Sequence, residues 1–495
     1  VRAIFSNTNC LFFIFLLEAF FMIIQQNRVF AQNNKFSGAL EAQLISTNRV
    51  EAPFWFRVRQ EGSIPLAGAS VGIFGNLKKE YDTTSNLFDW GAGIAFRTNF
   101  GSRVDFNLIS GYIKGRASVF EIKLGRWNNY SGLSDTLLST GSFGISGNAL
   151  AIPQIQISIP QYYNLPFLNG WVGVRGSLSH GWIGSVPIQF GNVSQSRSFF
   201  HSKALYGRIG KQGGVYSLIA GFNHNAFWGN ERNIYSGFDL SNWQAYQSVL
   251  YGKTWGGSKV GNHLGSIDIE IEANWNRVNF VVYRQFFYEK GGLYHLANIA
   301  DGLNGITLIN KAKQESDKGI KWERALFEFL YSKNQGGYLS SPETPSGAED
   351  YYNHYIYAEG WSYKGLGLGN PLFTPRREAR DSLAHNSSQF FINNRLMAFH
   401  IGGIVEWKKW EVLLKATYSQ NYGTYATGNE QYRSSYGEIK EPQVDQFVPV
   451  AQTSLLLSVK KPISNKTYIG VILGVDAGKL LNSTSGVIIK GGAHF

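Results

Sequence analysis

The sequence predicts an all-β fold, a transmembrane β-barrel of the bacterial outer-membrane kind, and three observations carry that prediction. Near its end the chain alternates strictly, with Val487, Ile489, Gly491, Ala493 and Phe495 opposed to Ile488, Lys490, Gly492 and His494. A period of two with one apolar side is a strand lying between lipid and a wetter space. The composition is 15% aromatic, with 56 glycines, 13 prolines and a mean hydropathy of −0.17. Strands that offer apolar residues only at alternate positions average to that neutrality. Beyond the first 31 residues no apolar run approaches the ~20 residues of a spanning helix, and no linker or composition shift divides the chain.

The elements follow in order. Arg2, the apolar run Leu11–Ile24 (interrupted by Glu18) and Val29-Phe30-Ala31 read as an export signal cleaved after Ala31. Residues 1–31 are then a signal peptide and residues 32–495 one barrel domain. An uncleaved anchor is the alternative, and the run is short for it. Cys10 lies in this segment, so the mature chain has no cysteine and no thiolate or disulfide chemistry. Strands are expected to begin near Phe36, Leu87, Val104, Gly141, Gly170, Ala204, Val215, Leu326 and Thr453.

Two hairpins are explicit. Ile267, Ile269, Ile271, Ala273 and Trp275 alternate with Asp268, Glu270, Glu272 and Asn274, and after Asn276-Arg277 the chain returns through Val278, Phe280 and Val282. A carboxylate facing lipid near the midplane costs several kcal/mol, so Asp268, Glu270 and Glu272 must face the lumen or a plug. The second hairpin turns at Lys408-Lys409 between Trp407 and Trp410, as an interfacial aromatic girdle requires. At ~10 residues per strand, sixteen to eighteen strands use about 160 to 180 residues; about eighteen antiparallel strands are expected. The final strand, with Ile469–Ala477 before it, forms a hairpin ending in Phe495, which resembles the insertion signal read by the barrel-assembly machinery. Two long loops, Tyr288–Trp322 and Gln335–Phe390, are where function is expected, because one rim of such barrels carries the long loops.

In the second loop the run EDYYNHYIYAEGWSYKGLGLGNPLF, Glu349 to Phe373, resembles the Asp-Tyr-Tyr-Asn … Gly-Trp-Ser-Tyr-x-Gly … Gly-x-Pro-Leu signature of the Wzi capsule-assembly family, in the form found in Bacteroidetes-type envelopes. YRQFFYEKGGLYHLANIADGLNGI (Tyr283–Ile306), HNAFWGN (His224–Asn230), GNHLGSID (Gly261–Asp268) and NNRLMAFHIGGI (Asn393–Ile404) are similar to further family blocks in the same order. The acidic-glycine turn departs from the family's Asp-Gly-Ser-Gly, since Glu289 is followed by Lys290-Gly291-Gly292. The resemblance implies an outer-membrane barrel of about eighteen strands, plugged from the periplasmic side. It also implies a lectin that tethers capsular polysaccharide to the cell surface, with no catalysis and no cofactor.

The residues offer two physical routes to that role. Sugar rings stack on aromatic faces, and the loop holds Tyr351, Tyr352, Tyr355, Tyr357, Trp361 and Tyr363, with Asp350 and Asn353 as polar neighbours. The other reading of these aromatics is that they fill the loop and rim. Charge is the second route. Removing Arg2, Arg28 and Glu18 from 46 basic and 34 acidic residues leaves 44 and 33, a balance of +11. A basic surface attracts polyanions, here lipopolysaccharide and acidic capsule or exopolysaccharide. No nucleic-acid motif accompanies the charge. Lys364 inside the signature, and Arg376, Arg377 and Arg380 after it, could pair with uronate or phosphate; Glu378 and Asp381 could equally neutralise a solvated loop.

Enzymatic chemistry has little to stand on. The nine histidines are scattered, with no metal-ligand spacing. His385-Asn386-Ser387-Ser388 lacks an orienting partner, adjacent Glu349 and Asp350 point apart on an extended chain, and the Gly365–Gly369 run lacks the flanks of a phosphate loop. A diffusion porin with Asp268, Glu270 and Glu272 along an open lumen is the alternative function, and a docking component of another envelope machine the third.

Overall fold

In lipid every backbone N–H and C=O must be paired within the protein, which leaves a closed barrel as the one solution for strands. The computed structural model describes residues 36–82, 87–312, 319–338, 349–428 and 446–495, with the backbone of 432–433 and 439–440. The expected signal segment 1–31 lies outside them. Eighteen strands form one sheet: β1 (Phe36–Thr47), β2 (Ser70–Lys79), β3 (Phe88–Phe100), β4 (Val104–Ala117), β5 (Phe120–Arg126), β6 (Gln154–Asn164), β7 (Val172–Pro187), β8 (Gln195–Ile209) and β9 (Tyr216–Trp228). The second half is β10 (Asn262–Asn274), β11 (Val278–Tyr288), β12 (Gly302–Asn310), β13 (Ile320–Tyr331), β14 (Leu396–Trp407), β15 (Trp410–Asn421), β16 (Val450–Pro462), β17 (Thr467–Gly478) and β18 (Thr484–His494). Each pairs antiparallel with the next, and β1 pairs with β18 from Ala39↔His494 to Thr47↔Gly486, closing the barrel. Phe495 exchanges both backbone hydrogen bonds with Gly38, and its ring lies over that glycine.

The alternation sorts itself by solvent. On β10, Ile267, Ile269 and Ile271 are exposed on the outer wall, whereas Asp268 is fully buried inside. The β14–β15 turn is the two-residue one expected, with Lys408 and Lys409 at φ 47° and 69°, the mirror-image turn that matches strand twist. Trp407 and Trp410 pair across it. Exposed Trp90, Trp171, Trp275 and Trp322 stand at the same rim, forming the aromatic girdle. No described helix is long and apolar enough to cross a membrane; the strands cross.

The two rims differ. One carries short turns, such as 118–119, 275–277 and 408–409, together with the start of β1 and the end of β18. The other carries 48–69, 127–153, 229–261, 289–301, 332–338 and 349–395, and in outer-membrane barrels the long-loop rim faces the exterior. Segments 48–69, 127–153 and 349–395 fold inward from that rim, with β10, β11 and β13 supplying inward polar groups to segment 127–153. The helix Asn242–Tyr251, with a Ser241–Gln244 capping box, lies on the outer wall instead. It buries Ala245 and Val249 against Ala226 and Trp228, which point out because Phe227 between them points in.

Several boundaries differ from the sequence reading. No strand begins at Gly141, because the alternating Gly141–Ser146 is an inward loop whose Phe143 stacks on Phe287 at 4.2 Å between ring centroids. Tyr288–Trp322 is not one loop, since it contains β12. Ala204 and Leu326 fall inside β8 and β13, and the starts of β2, β5 and β6 carry no sequence signal because their inward faces are as polar as turns.

Candidate functional site

The signature loop is built around three carboxylates. Glu349 accepts hydrogen bonds from the backbone N–H of Glu289 (3.0 Å), Lys290 (3.1 Å) and Gly292 (2.7 Å) and from Asn298 Nδ2 (3.1 Å). Asp301 accepts from the Asn334 and Gln335 N–H groups (3.0 and 2.6 Å) and from the Tyr351 hydroxyl (2.8 Å). Asp350, at φ 50°, accepts from Asn353 Nδ2 (3.1 Å), Gln389 Nε2 (2.8 Å) and Asn394 Nδ2 (2.7 Å). These bonds knot loop 289–301 to loop 349–395. Burial pushes the Asp301 carboxyl up to about 6 despite its donors, and it drives the Glu289 carboxyl well above the usual range.

Tyr352, Tyr357 and Trp361 lie in the loop's core, with no ring face open to solvent. Trp361 is 0% exposed, lies flat on Phe227 at 4.2 Å and 24°, and donates its Nε1–H to the Gly144 carbonyl at 2.7 Å. Tyr352 is 0% exposed, donates its hydroxyl to the Phe143 carbonyl and accepts from the Asn370 N–H at 2.8 Å. Asn353 pairs with both backbone groups of Phe391 at 2.9 Å, and Tyr357 is buried. A loop threaded into a barrel must cover its own backbone, and these rings do so.

Other candidates reach solvent. Lys364, at φ 52°, is exposed, and the guanidinium of exposed Arg377 lies beside neighbouring Gly365. Arg376 is exposed and hydrogen-bonded to His385. Glu378 pairs with Arg57 at 2.8 Å rather than with this group, and Arg380 binds the Leu481 and Gly478 carbonyls. A cleft of about 250 Å³ opens beside Lys364, where Tyr357, Glu359, Ser362 and Tyr363 face Ile183–Pro187 of β7.

The inward acids divide. Asp268 accepts from the Leu133 N–H (3.1 Å) and the Tyr206 hydroxyl (2.7 Å), clamping segment 127–153 to the wall. Glu270 and Glu272 line a separate lumenal cavity. Residues not singled out from sequence complete the clamp. Gln285 holds Phe143 N–H and the Leu133 carbonyl (3.2 and 3.0 Å); Glu328 accepts from Ser139 Oγ, Thr140 N–H and the Tyr283 hydroxyl (2.6, 2.7 and 2.5 Å); Arg324 pairs with Asp135 at 2.7 Å. The available signal was their place, as polar residues on the inward parity of otherwise apolar strands. His385 faces Arg376 and the Ser388 hydroxyl bonds Asn386, so these two do not address each other. The described residues contain no group of His, Cys, Asp and Glu able to hold a metal ion.

The model of the family described as capsule assembly protein Wzi matches residues 25–399. The chain belongs to this family. Among solved structures it is similar to Wzi of Escherichia coli, described as an outer-membrane protein involved in group 1 capsule assembly and a carbohydrate-binding β-barrel. The identity is 12% over 93% of this chain and 84% of that one, with a TM-score of 0.54. Acinetobacter baumannii OccAB4 (8% identity, 93% and 97% covered, TM-score 0.43) and Pseudomonas aeruginosa OccD3 (8%, 93% and 91%, 0.42) also match. No curated protein matches. The Wzi-family signature loop, Glu349–Phe373, is thus the buried, knotted segment above, with Lys364 exposed within it and Arg376 and Arg377 exposed after it.

Proposed function

We propose that this barrel is a non-enzymatic lectin that binds capsular or extracellular polysaccharide and tethers it to the cell surface during capsule assembly. The observation that carries the reading is the exposed group Lys364, Arg376 and Arg377 on a locked loop, with a cleft of about 250 Å³ beside Lys364. Guanidinium groups match uronate carboxylates bidentately, and a fixed loop binds without an ordering cost. Family membership and the carbohydrate-binding E. coli neighbour support a role in capsule assembly.

The same reading has the chain exported to the outer membrane of a Bacteroidetes-type cell and cut after Ala31. It has Phe495 recognised by the barrel-assembly machinery, and lipopolysaccharide around the wall. N-terminal sequencing of the outer-membrane form tests the cut. The function is tested by the partition of polysaccharide between cells and medium in a deletion strain complemented with parent or with Lys364→Ala/Arg376→Ala/Arg377→Ala. Polysaccharide should shift to the medium with total unchanged, and only the parent gene should return it. Equal partition in all strains, with small-solute uptake reduced in the deletion, would favour a porin instead.

A further inference from the structure

Beneath the inward loops, on the short-turn half of the lumen, lie two cavities. One of about 430 Å³ is set against β1–β4 and one of about 500 Å³ against β6–β10, and Arg59 and Tyr130 line both. Each has the size of a small-molecule site.

The partition between them is rigid. Arg59, at φ 56°, donates to the Thr136 and Ser139 carbonyls (2.7 and 3.2 Å) and stands 5.1 Å from the centre of the Tyr130 ring. The Tyr130 hydroxyl donates to Glu61 at 2.8 Å.

In the larger cavity the Arg175 guanidinium is held between the rings of Tyr162 and Tyr206, at 4.9 and 5.0 Å. Held in this way, it loses little freedom on binding. Glu270 and Glu272 line the same space, with Glu272 accepting from Ser217 at 2.8 Å. The Ser158 hydroxyl and the Nε–H of Arg175 are buried with no hydrogen-bond partner. Arg59 and Arg175 balance Glu270 and Glu272 in charge, which disfavours a simple anion. Carboxylates accepting, a guanidinium and a hydroxyl donating, all fixed, suit neighbouring hydroxyl groups.

We infer that the larger cavity is a subsite for a short oligosaccharide, distinct from the rim cleft. The inference rests on the polysaccharide reading above and adds a second point of contact on the other side of the plug. Its test is calorimetric titration of the full-length protein in detergent with two- to four-sugar fragments released from the producing strain's own capsule, and with inorganic phosphate.

Arg175→Gln and Glu270→Gln/Glu272→Gln should each weaken fragment binding about tenfold or more. The rim triple variant Lys364→Ala/Arg376→Ala/Arg377→Ala should weaken binding of whole polysaccharide and leave the fragments unaffected. In the parent protein, saturating fragment should slow hydrogen exchange in 129–134 and not in 359–365, a readout independent of any variant. If the parent binds fragments but the lumenal variants match it, or if protection falls on 359–365, the lumenal site is wrong and the rim reading stands. Phosphate competing with the fragments likewise overturns a hydroxyl-directed site. A parent that binds neither fragment nor polysaccharide overturns both readings.

Discussion

Trp361→Ala separates a core indole from a ligand platform. The side chain is fully buried, stacked on Phe227 at 4.2 Å, and its Nε1–H satisfies the Gly144 carbonyl. Large-to-small truncation of a buried Trp costs about 3–5 kcal/mol, and the stranded carbonyl adds about 1 kcal/mol. The loss is local, because the strand ladder does not depend on this ring. At about 1.4 kcal/mol per decade, a loss near 5 kcal/mol raises the opening equilibrium of the loop several thousandfold. Hydrogen exchange read by mass spectrometry in detergent should therefore accelerate by that order in 349–373 and 141–147, while β14–β18 keep their parent rates. Trp361→Phe keeps most of the stack and should recover all but about 1–2 kcal/mol. If both variants exchange within threefold of the parent while polysaccharide retention is lost, the indole meets ligand and the packing argument is wrong.

Gly369→Ala tests the close approach of loop to plug: a Cβ there would lie 2.0 Å from the Tyr352 hydroxyl and 2.3 Å from the Phe143 carbonyl. Overpacking of about 1–3 kcal/mol is expected, seen as protease cleavage within 349–373; parent-like resistance would contradict the approach. Glu328→Gln replaces an acceptor facing Ser139, Thr140 and Tyr283 with a group that brings its own donors. Segment 133–145 should loosen by about 2–3 kcal/mol, and its exchange rates would show it, whereas unchanged rates would remove the clamp. Stability should also depend on pH in a direction unusual for carboxylates. Burial pushes Glu61 up to about 7 and Asp301 up to about 6. The folded protein holds protons that the unfolded chain has released, so the stabilisation present at low pH is lost from about pH 4, where free carboxyls ionise, up to about 6 to 7. Melting followed from pH 4 to 8 should fall across that window, more shallowly in Glu61→Gln, and a rising curve would refute the assignment.

The barrel was legible because lipid enforces a period of two on every crossing strand. The alternation from Ile267 to Ala273 and the turns at Asn276-Arg277 and Lys408-Lys409 were visible in the sequence, and length limited the count to sixteen to eighteen strands. What alternation could not reveal is the difference between a strand and an extended loop drawn into the lumen. Gly141–Ser146 alternates because Phe143 faces Phe287 while its neighbours reach wall polar groups, with no ladder involved. The signature aromatics were likewise visible as residues, yet their burial depends on Phe200, Phe227 and Phe287, contributed by distant strands. Lys364, Arg376 and Arg377 could be chosen for their charge, whereas the roles of Gln285 and Glu328 emerge only when segment 127–153 is seen against them.

The knot at Glu349, Asp350 and Asp301 has a mechanical meaning. A pull on Lys364 passes within three residues to Trp361, from there through Phe227 and Phe200 to the adjacent strands β9 and β8, and through Asp350 and Asn394 to the start of β14. Force applied to this loop is thereby spread over several strands, whose ladder bonds must yield together, instead of falling on one hairpin at its tip. A flexible loop of the same composition would load a single turn; this one transmits force as a strut.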